Sequence, residues 1–495
     1  MFWCLGLHEE PFGVERFIYL LNSYYFREVL FLEQFDVLVI GSGSGMLVVS
    51  AAVEQGFKTA LIESNKMGGT CINTGCVPSK MLLYPAELLT NIAEATKIGI
   101  KTEHKTADFA NIMNRMRALT QHDTKHLTAS VEITPNLTWF KDPGEFISDY
   151  TLQSGNHTLT AKKIFIASGA QTTIPKIKGL QNINYLTNET VLQLQTQPKS
   201  ILIVGGGYIG IEYAHFFSAL GTQTTLIQRS DHILPQEEPE ISELLLKELS
   251  KRITIYTNCE ALEVKKEENQ NITLTTQNQT TKTQKELTAQ TLMIATGRSS
   301  NAYLLKPQKT GLRLNEQGFI TVNEYLETNK ENIYALGDAT GTQMFKHAAN
   351  YEAGIVWHNA THDHKVAMNF NTVPRGIFTY PQIAAVGLRE QQAKQYYNTL
   401  IGIATYRDTA MGAAMGFPEG FVKVIVEKET GKILGAHIIG PEATVLIQEI
   451  TNATASGNGD YSPIAQGMHI HPALNEVIQN AFINLHQHNQ PQQTQ

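Results

Sequence analysis

Apolar residues in this chain gather in short runs that end in glycine, and one such arrangement occurs twice. In "FDVLVIGSGSG" the run Val37 to Ile40 reads as a buried strand entering a glycine loop. "MLVVSAAVEQG" then predicts a helix of small residues, and "KTALIES" a second strand ending at Glu63. "SILIVGGGYIGIEYAHFFSALGTQTTLIQR" repeats the order of strand, glycine turn, helix and strand, with Gly205, Gly207 and Gly210 in the turn. Each unit has the pattern of a dinucleotide site, in which glycines let the backbone approach a pyrophosphate resting on a helix N-terminus.

Between and after these units the pattern changes. Residues 81–130 predict mostly helix, and "KKIFIASGA" a strand closing on Gly169. The polar segment from Glu263 to Gln290 predicts exposed hairpins, and "LMIATGR" and "NIYALGDAT" two strands closing on glycines, Gly297 in the first. After Thr372, "GFVKVIVEKETGKILGAHII" predicts antiparallel strands, with helices following from about Glu442 and Asn475. The expected fold is α/β: two Rossmann-like nucleotide-binding domains plus a C-terminal α+β domain. The expected divisions are an N-terminal extension over 1–34, a first nucleotide-binding part over 35–170 and a second unit over 171–300. A return to the first unit over 301–368, a C-terminal domain over 369–484 and a tail over 485–495 complete them.

Composition narrows the setting. A chain of 495 residues exceeds one hydrophobic core, and 42% apolar with 17% charged residues is ordinary for a globular protein. Thirty-nine basic against 46 acidic residues give a net charge of −7, which offers nucleic acid no electrostatic footing. Four cysteines make no disulfide framework and fit a reducing compartment, so a cytoplasmic location is expected. The aromatic N-terminal extension has its longest uncharged run from Phe17 to Phe26, too short for a spanning helix. An added helix, a peripheral membrane contact and an upstream extension without a role all stay open for it.

The two glycine turns differ in their chemistry. At the first, Gly41 and Gly43 are followed by Gly45 and then Met46, where a third glycine would complete the spacing; Glu63 stands where a carboxylate takes adenosine ribose hydroxyls. At the second, the strand ends in Gln228–Arg229, with no carboxylate. Arg229 is placed to meet a 2′-phosphate, which favours NADPH over NADH, or else simply faces water.

"GGTCINTGCVPSK" puts Cys71 and Cys76 five positions apart in a turn-like composition. The other cysteines, Cys4 and Cys259, supply no second pair for a structural zinc site. Bridging the two requires Cα atoms within about 7 Å, so the intervening residues must leave ideal helix, and Gly75 eases that. A thiolate at a helix entry is also stabilised by the helix dipole. Two small buried hydrophobes and a reactive pair both remain compatible with the spacing alone.

The segment resembles the active-site signature of the class I pyridine nucleotide–disulfide oxidoreductases, and further landmarks follow in that family's order from Phe35 to about His486. The resemblance implies FAD at the first glycine turn and NAD(P)H at the second, with Arg298 and Asp338 on the returning FAD segment. It implies a redox-active disulfide in which Cys76 lies nearer the flavin and Cys71 exchanges with substrate. Lys80 paired with Glu212 would lie near the flavin, and Tyr208 would gate the nicotinamide pocket. His471 and Glu476, in "HPALNE", would supply the acid–base pair from the second subunit of a homodimer, whose interface the C-terminal domain forms. Electrons would pass from the nicotinamide through FAD to Cys76–Cys71 and on to a small disulfide or a lipoyl group, free or on a carrier protein, or in reverse. The expected activity is that of a dihydrolipoyl dehydrogenase. The alternative is NADPH-dependent reduction of a low-molecular-weight disulfide, as in mycothione or glutathione reductases. A flavin-binding docking or redox-sensing protein is the reading of another class.

Overall fold

In the computed structural model, which describes residues 32–101, 106–268, 270–417 and 419–486, the first apolar run is part of a longer strand. Strand β1 spans Leu32–Ile40 and so takes in the last residues assigned to the N-terminal extension. The remainder of that extension, and the tail from 487, lie outside the described residues. Helix α1 (Gly45–Glu54) leads to β2 (Thr59–Ile62), paired parallel to β1 from Val37↔Thr59 to Ile40↔Ile62. A short helix α2 (Gly69–Asn73) comes first, and the helical stretch expected over 81–130 falls to α3 (Cys76–Glu94) and α4 (Phe109–Ile133). Asp108 starts the last of these, its side chain accepting from the Asn111 N–H.

Strands β3 (Leu137–Phe140), β4 (Gly144–Ser148), β5 (Thr151–Ser154) and β6 (His157–Ile166) complete a sheet ordered β3-β2-β1-β6-β5-β4. The later strand Ile333–Ala335 joins it by pairing parallel with β6. Side chains alternate across β1: Leu38 and Ile40 enter one apolar cluster, Val37 and Val39 the cluster beneath α1. A strand covered on both faces needs this unbroken apolar run, each buried side chain contributing ~1.5–3 kcal/mol.

The chain leaves through β7 (Ala170–Thr172) into the second unit, which holds β8 (Ser200–Val204), α5 (Tyr208–Ala219), β9 (Gln223–Ile227), α6 (Pro239–Leu249) and β10 (Thr254–Tyr256). The polar stretch forms an antiparallel sheet of β11 (Cys259–Lys266), β12 (Ile272–Asn278) and β13 (Gln284–Ala289). With β14 (Thr291–Ile294) the parallel sheet is ordered β10-β9-β8-β14. The chain returns through β15 (Arg298–Ser300), antiparallel to β7. The divisions drawn at 170 and 300 therefore run along a shared two-stranded ribbon.

Strand β16 (Ile333–Ala335) and helix α7 (Lys346–Thr361) close the first unit. A five-stranded antiparallel sheet follows: β17 (Arg375–Ile377), β18 (Ile383–Gly387), β19 (Thr399–Thr405), β20 (Phe421–Glu427) and β21 (Ile433–Ile439), ordered β17-β18-β21-β20-β19. It packs against α8 (Ala443–Ala455) and α9 (Glu476–Ile483). Among the described residues, no helix is long and apolar enough to cross a membrane.

Candidate active site

The two glycine turns are built alike. Gly41 (φ +101°) and Gly205 (φ +115°) pass so close to the neighbouring strand that a Cβ would lie 2.3 Å from Ala167 O and 2.2 Å from Ala295 O. At the second turn Gly210 repeats the demand, its Cβ falling 1.8 Å from Gly205 O. Met46 stands at the matching place in the first turn, and the helix entry has shifted to accommodate it. Gly45 opens α1 and makes the close approach instead, its Cβ 2.8 Å from Val39 Cγ1, while Met46 packs half-buried at the edge of the core.

The strand ends also correspond. Glu63 Oε2 accepts the Ser42 N–H at 2.9 Å and the Ser42 hydroxyl at 2.8 Å. Gln228 Oε1 accepts the Gly206 N–H at 2.8 Å. One position thus carries a carboxylate in the first turn and a neutral carboxamide in the second. Arg229 beside it is exposed. Around Gly43, Gly169, Gly207 and Gly297 an added Cβ would meet nothing within 4 Å, which leaves open space before each turn.

The residues present fit FAD in the first turn. Ser168 Oγ and Arg298 Nε are buried without a hydrogen-bond partner. Arg298 Nε lies 3.4 Å from Asp338 Oδ2, and burial holds the Asp338 carboxyl above its usual range against the pull of that guanidinium. Orphaned donors of this kind are satisfied by hydroxyl or phosphate oxygens of a bound group. FAD there would be held by Gly41, Gly43, Gly45, Glu63, Gly169, Arg298 and Asp338.

Cys71 and Cys76 are brought together. The helix ends at Asn73, the chain turns at Thr74 and Gly75, and Cys76 is the first residue of α3. A side chain on Gly75 would press its Cβ to 2.9 Å from Thr70 O, so glycine makes the fold-back possible. Both cysteines are free thiols, in hydrogen-bonding contact. Cys71 donates, which draws the Cys76 thiol down from 9.0 to about 6, with Lys80 adding to the effect against burial and Glu212. The same bond, with burial, pushes Cys71 far up. The pair is therefore poised as one thiolate and one thiol. Gly69 seats this segment on the first turn, a Cβ there lying 2.8 Å from Gly43 Cα.

Lys80 and Glu212 meet across domains: Lys80 Nζ donates to both Glu212 oxygens at 2.9 Å. The Phe378 N–H donates to Glu212 Oε1 at 3.0 Å, and the Lys80 ammonium lies 4.5 Å from the centre of the Phe378 ring. Tyr208 heads α5 and donates to Glu237 Oε1 at 2.5 Å, and Arg375 grips Glu237 through Nε at 2.8 Å and Nη2 at 3.1 Å. Ser42, Phe378 and the Glu237–Arg375 pair escape a reading of the sequence. Only Ser42, inside the glycine loop, has a local signal.

His471 follows the expected pairing with Glu476 but stands apart from the sulfurs. Its Nδ1 lies 2.8 Å from Glu476 Oε1, which holds the Glu476 carboxyl below its usual range, and the imidazole is exposed. No hydrogen bond among the described residues links it to Cys71 or Cys76. Neighbouring His469 is half-buried and bonds Glu449 Oε1 at 2.8 Å.

A paired thiol–thiolate beside one of two dinucleotide turns defines a two-electron dithiol oxidoreductase site. Residues 35–360 match the family described as pyridine nucleotide-disulphide oxidoreductase, and residues 373–482 match that family's dimerisation domain. The chain belongs to this family, whose members bind FAD and use NAD(P)H. It is 33% identical to the mycothione reductase of Mycobacterium tuberculosis, over 92% of this chain and 100% of the relative. It is 32% identical to the dihydrolipoyl dehydrogenase of Chlamydia pneumoniae, over 90% and 95%. Among solved structures, the HOCl-induced flavoprotein disulfide reductase RclA from Escherichia coli superposes with a TM-score of 0.80 at 26% identity, covering 90% of this chain and 99% of that one.

Proposed function

We propose that this enzyme oxidises NADPH and reduces a low-molecular-weight disulfide through Cys71 and Cys76. The observation that carries the reading is Gln228: its carboxamide accepts the Gly206 N–H where the first turn uses the Glu63 carboxylate. A carboxylate there would repel a 2′-phosphate, whereas a neutral group beside the exposed Arg229 admits one. Bound at the first glycine turn, FAD would supply the two-electron chemistry that links nicotinamide and sulfur. Cys76 holds its negative charge near neutral pH, Lys80 is kept in place by Glu212, and Cys71 exchanges with the substrate. His471, oriented by Glu476, moves the protons of exchange across a homodimer interface.

Dihydrolipoyl dehydrogenase activity, first expected from the sequence, stays as the second reading, favoured by the similarity to an enzyme of that name. The deciding experiment is a turnover panel of lipoamide and small thiol disulfides with NADH and NADPH in both directions. Faster reduction of a small disulfide with NADPH supports the first reading. Dihydrolipoamide oxidation with NAD⁺ as the dominant rate supports the second. A yellow protein that turns over none of them returns the chain to a docking or sensing role.

A further inference from the structure

A closed circuit of contacts runs through the first unit, the second unit and the C-terminal sheet. The Tyr208 hydroxyl donates to Glu237 Oε1 at 2.5 Å, and Arg375 of β17 holds Glu237 through Nε at 2.8 Å and Nη2 at 3.1 Å. The carbonyl of Pro374, next to Arg375, accepts the His347 Nε2–H at 2.7 Å. The His347 ring stacks on Phe345 with centroids 5.5 Å and planes 13° apart, and Phe345 stacks on Tyr208 at 6.0 Å and 23°. The tyrosine is thus fixed at its hydroxyl from one side and across its ring from another. Glu237 is buried, and Arg375 keeps its carboxylate in one place by supplying both a charge and a planar fork. The loop that carries Glu237 is tied to the second glycine turn, the Leu234 N–H donating to Gly206 O at 2.9 Å.

The place of this tyrosine gives the circuit a role. A dinucleotide at the second turn rests its pyrophosphate on the N-terminus of α5 and its adenosine ribose by Gln228, so its nicotinamide lies on the other side of the turn. Tyr208 is the first residue of α5. Glu212, one turn along the same face, reaches Lys80, itself one turn past Cys76 on α3. The route from the dinucleotide to the sulfurs therefore passes the Tyr208 ring. We propose that Arg375, through Glu237, is a positioning residue for nicotinamide: it fixes the Tyr208 hydroxyl and so holds the ring as a preformed wall of the nicotinamide pocket. A wall already in place need not be ordered on binding, and the lower ordering cost appears as affinity. The inference requires a nicotinamide nucleotide at the second turn, and it holds whichever nucleotide is preferred and whichever disulfide is reduced.

The test is a calorimetric titration of the FAD-loaded enzyme with NADP⁺, NAD⁺ and the fragments 2′-phospho-ADP-ribose and ADP-ribose, which lack the nicotinamide ring. Arg375→Met should raise the Kd of both dinucleotides by about fivefold, the equivalent of one hydrogen bond, and leave both fragments unchanged. Tyr208→Phe should do the same, and the double variant should add nothing to either, since both break one linkage. Arg375→Lys keeps the charge but not the fork and should fall between, which guards against a Met variant that fails to fold. The pH midpoint of the charge-transfer absorbance, which reports Cys76, should stay in place in every variant. Unchanged or tighter dinucleotide binding in the folded, FAD-loaded Arg375 variants overturns the proposal, as does additivity in the double variant. Equal weakening of the fragments would mark a general loosening of the second unit, and a moved midpoint a displacement of β17 and Phe378; either result overturns it too. Dinucleotide and fragment are compared within one protein, so failure of the NADPH reading, or of every disulfide in the substrate panel, mimics none of these results.

Discussion

The Tyr208 hydroxyl donates to Glu237 at 2.5 Å while Arg375 of the C-terminal sheet holds the same carboxylate, so the residue heading the second nucleotide turn is anchored to another domain. Its ring also stacks on Phe345 with centroids 6.0 Å apart. Burial and the Glu237 charge push the phenol far above its usual range, so it stays protonated and donates to Glu237. Tyr208→Phe keeps the ring and loses one hydrogen bond, which should cost about 1 kcal/mol. Tyr208→Ala should change nucleotide affinity much more than Tyr208→Phe. Nucleotide titration alongside thermal unfolding separates the two, and equal effects would show that the ring has no part in the pocket.

Cys76 offers a direct pH readout. Its folded value, lowered from 9.0 to about 6, means the thiolate persists through neutral pH and is lost as pH falls through about 6. The long-wavelength charge-transfer absorbance of the two-electron-reduced enzyme should therefore halve near that pH. Cys71→Ala removes the largest cause, the donated hydrogen bond, and should move the midpoint up; Cys71→Ser keeps a donor and should move it less. Lys80→Met should also raise it, since its charge favours the thiolate.

What was legible beforehand was local. The alternation that sends Leu38 and Val37 to opposite faces, the glycines at Gly41 and Gly205, and the cysteine turn all act within a few residues. Contacts made across long separations left no local trace. Lys80 meets Glu212 across 132 residues and was anticipated only through family resemblance. The Ser44–Lys346 bond, 302 residues apart, had no such guide. Met46 was visible as a departure, but the way Gly45 absorbs it depends on Val39 of β1 and Ala167 just past β6. The antiparallel ribbon of β7 and β15 was hidden too, because each strand is only three residues long.

Glu352 ties stability to pH. It is fully buried, Oε2 accepts the Gly337 N–H at 2.6 Å, and Oε1 has no partner. Burial raises its pKa from 4.5 to about 7, with Asp338 adding to the rise against the Gly337 bond. Between those values the folded chain holds a proton that the unfolded chain releases, so this group's contribution to stability falls as pH rises. The loss is on the order of 3 kcal/mol across the window. Glu352→Gln should flatten the dependence of urea unfolding between pH 5 and about 7.5; an unchanged slope would refute the assignment.

Lys423 is an internal cation with three carboxylates. Its Nζ lies 3.1 Å from Glu238, 2.8 Å from Glu240 and 2.7 Å from Glu390, with the side chain 2% exposed. The three acids have the spacing of a metal site, and the Lys423 ammonium bridges all three. It joins α6 of the second unit to the C-terminal sheet. Lys423→Met leaves the acids facing one another and should destabilise by about 3–5 kcal/mol. Adding Glu238→Gln should recover part of that in chemical denaturation, and a loss unchanged by the second substitution would point to packing instead.

Cross-subunit action of His471 predicts complementation. Cys76→Ser and His471→Gln homodimers should each be nearly inactive, for different reasons. If the imidazole serves the partner's sulfurs, a mixed dimer contains one site with both an intact cysteine pair and an intact His471, and one site lacking both. Random reassortment of equal amounts yields half mixed dimers, so activity should return to about one quarter of the wild-type value. If His471 instead serves its own chain, each site in the mixed dimer carries one lesion and nothing returns. The unmixed variants, taken through the same dissociation and reassociation, set the baseline. Recovery that rises and saturates with the mixed-dimer fraction, measured by native mass spectrometry, ties the activity to shared sites.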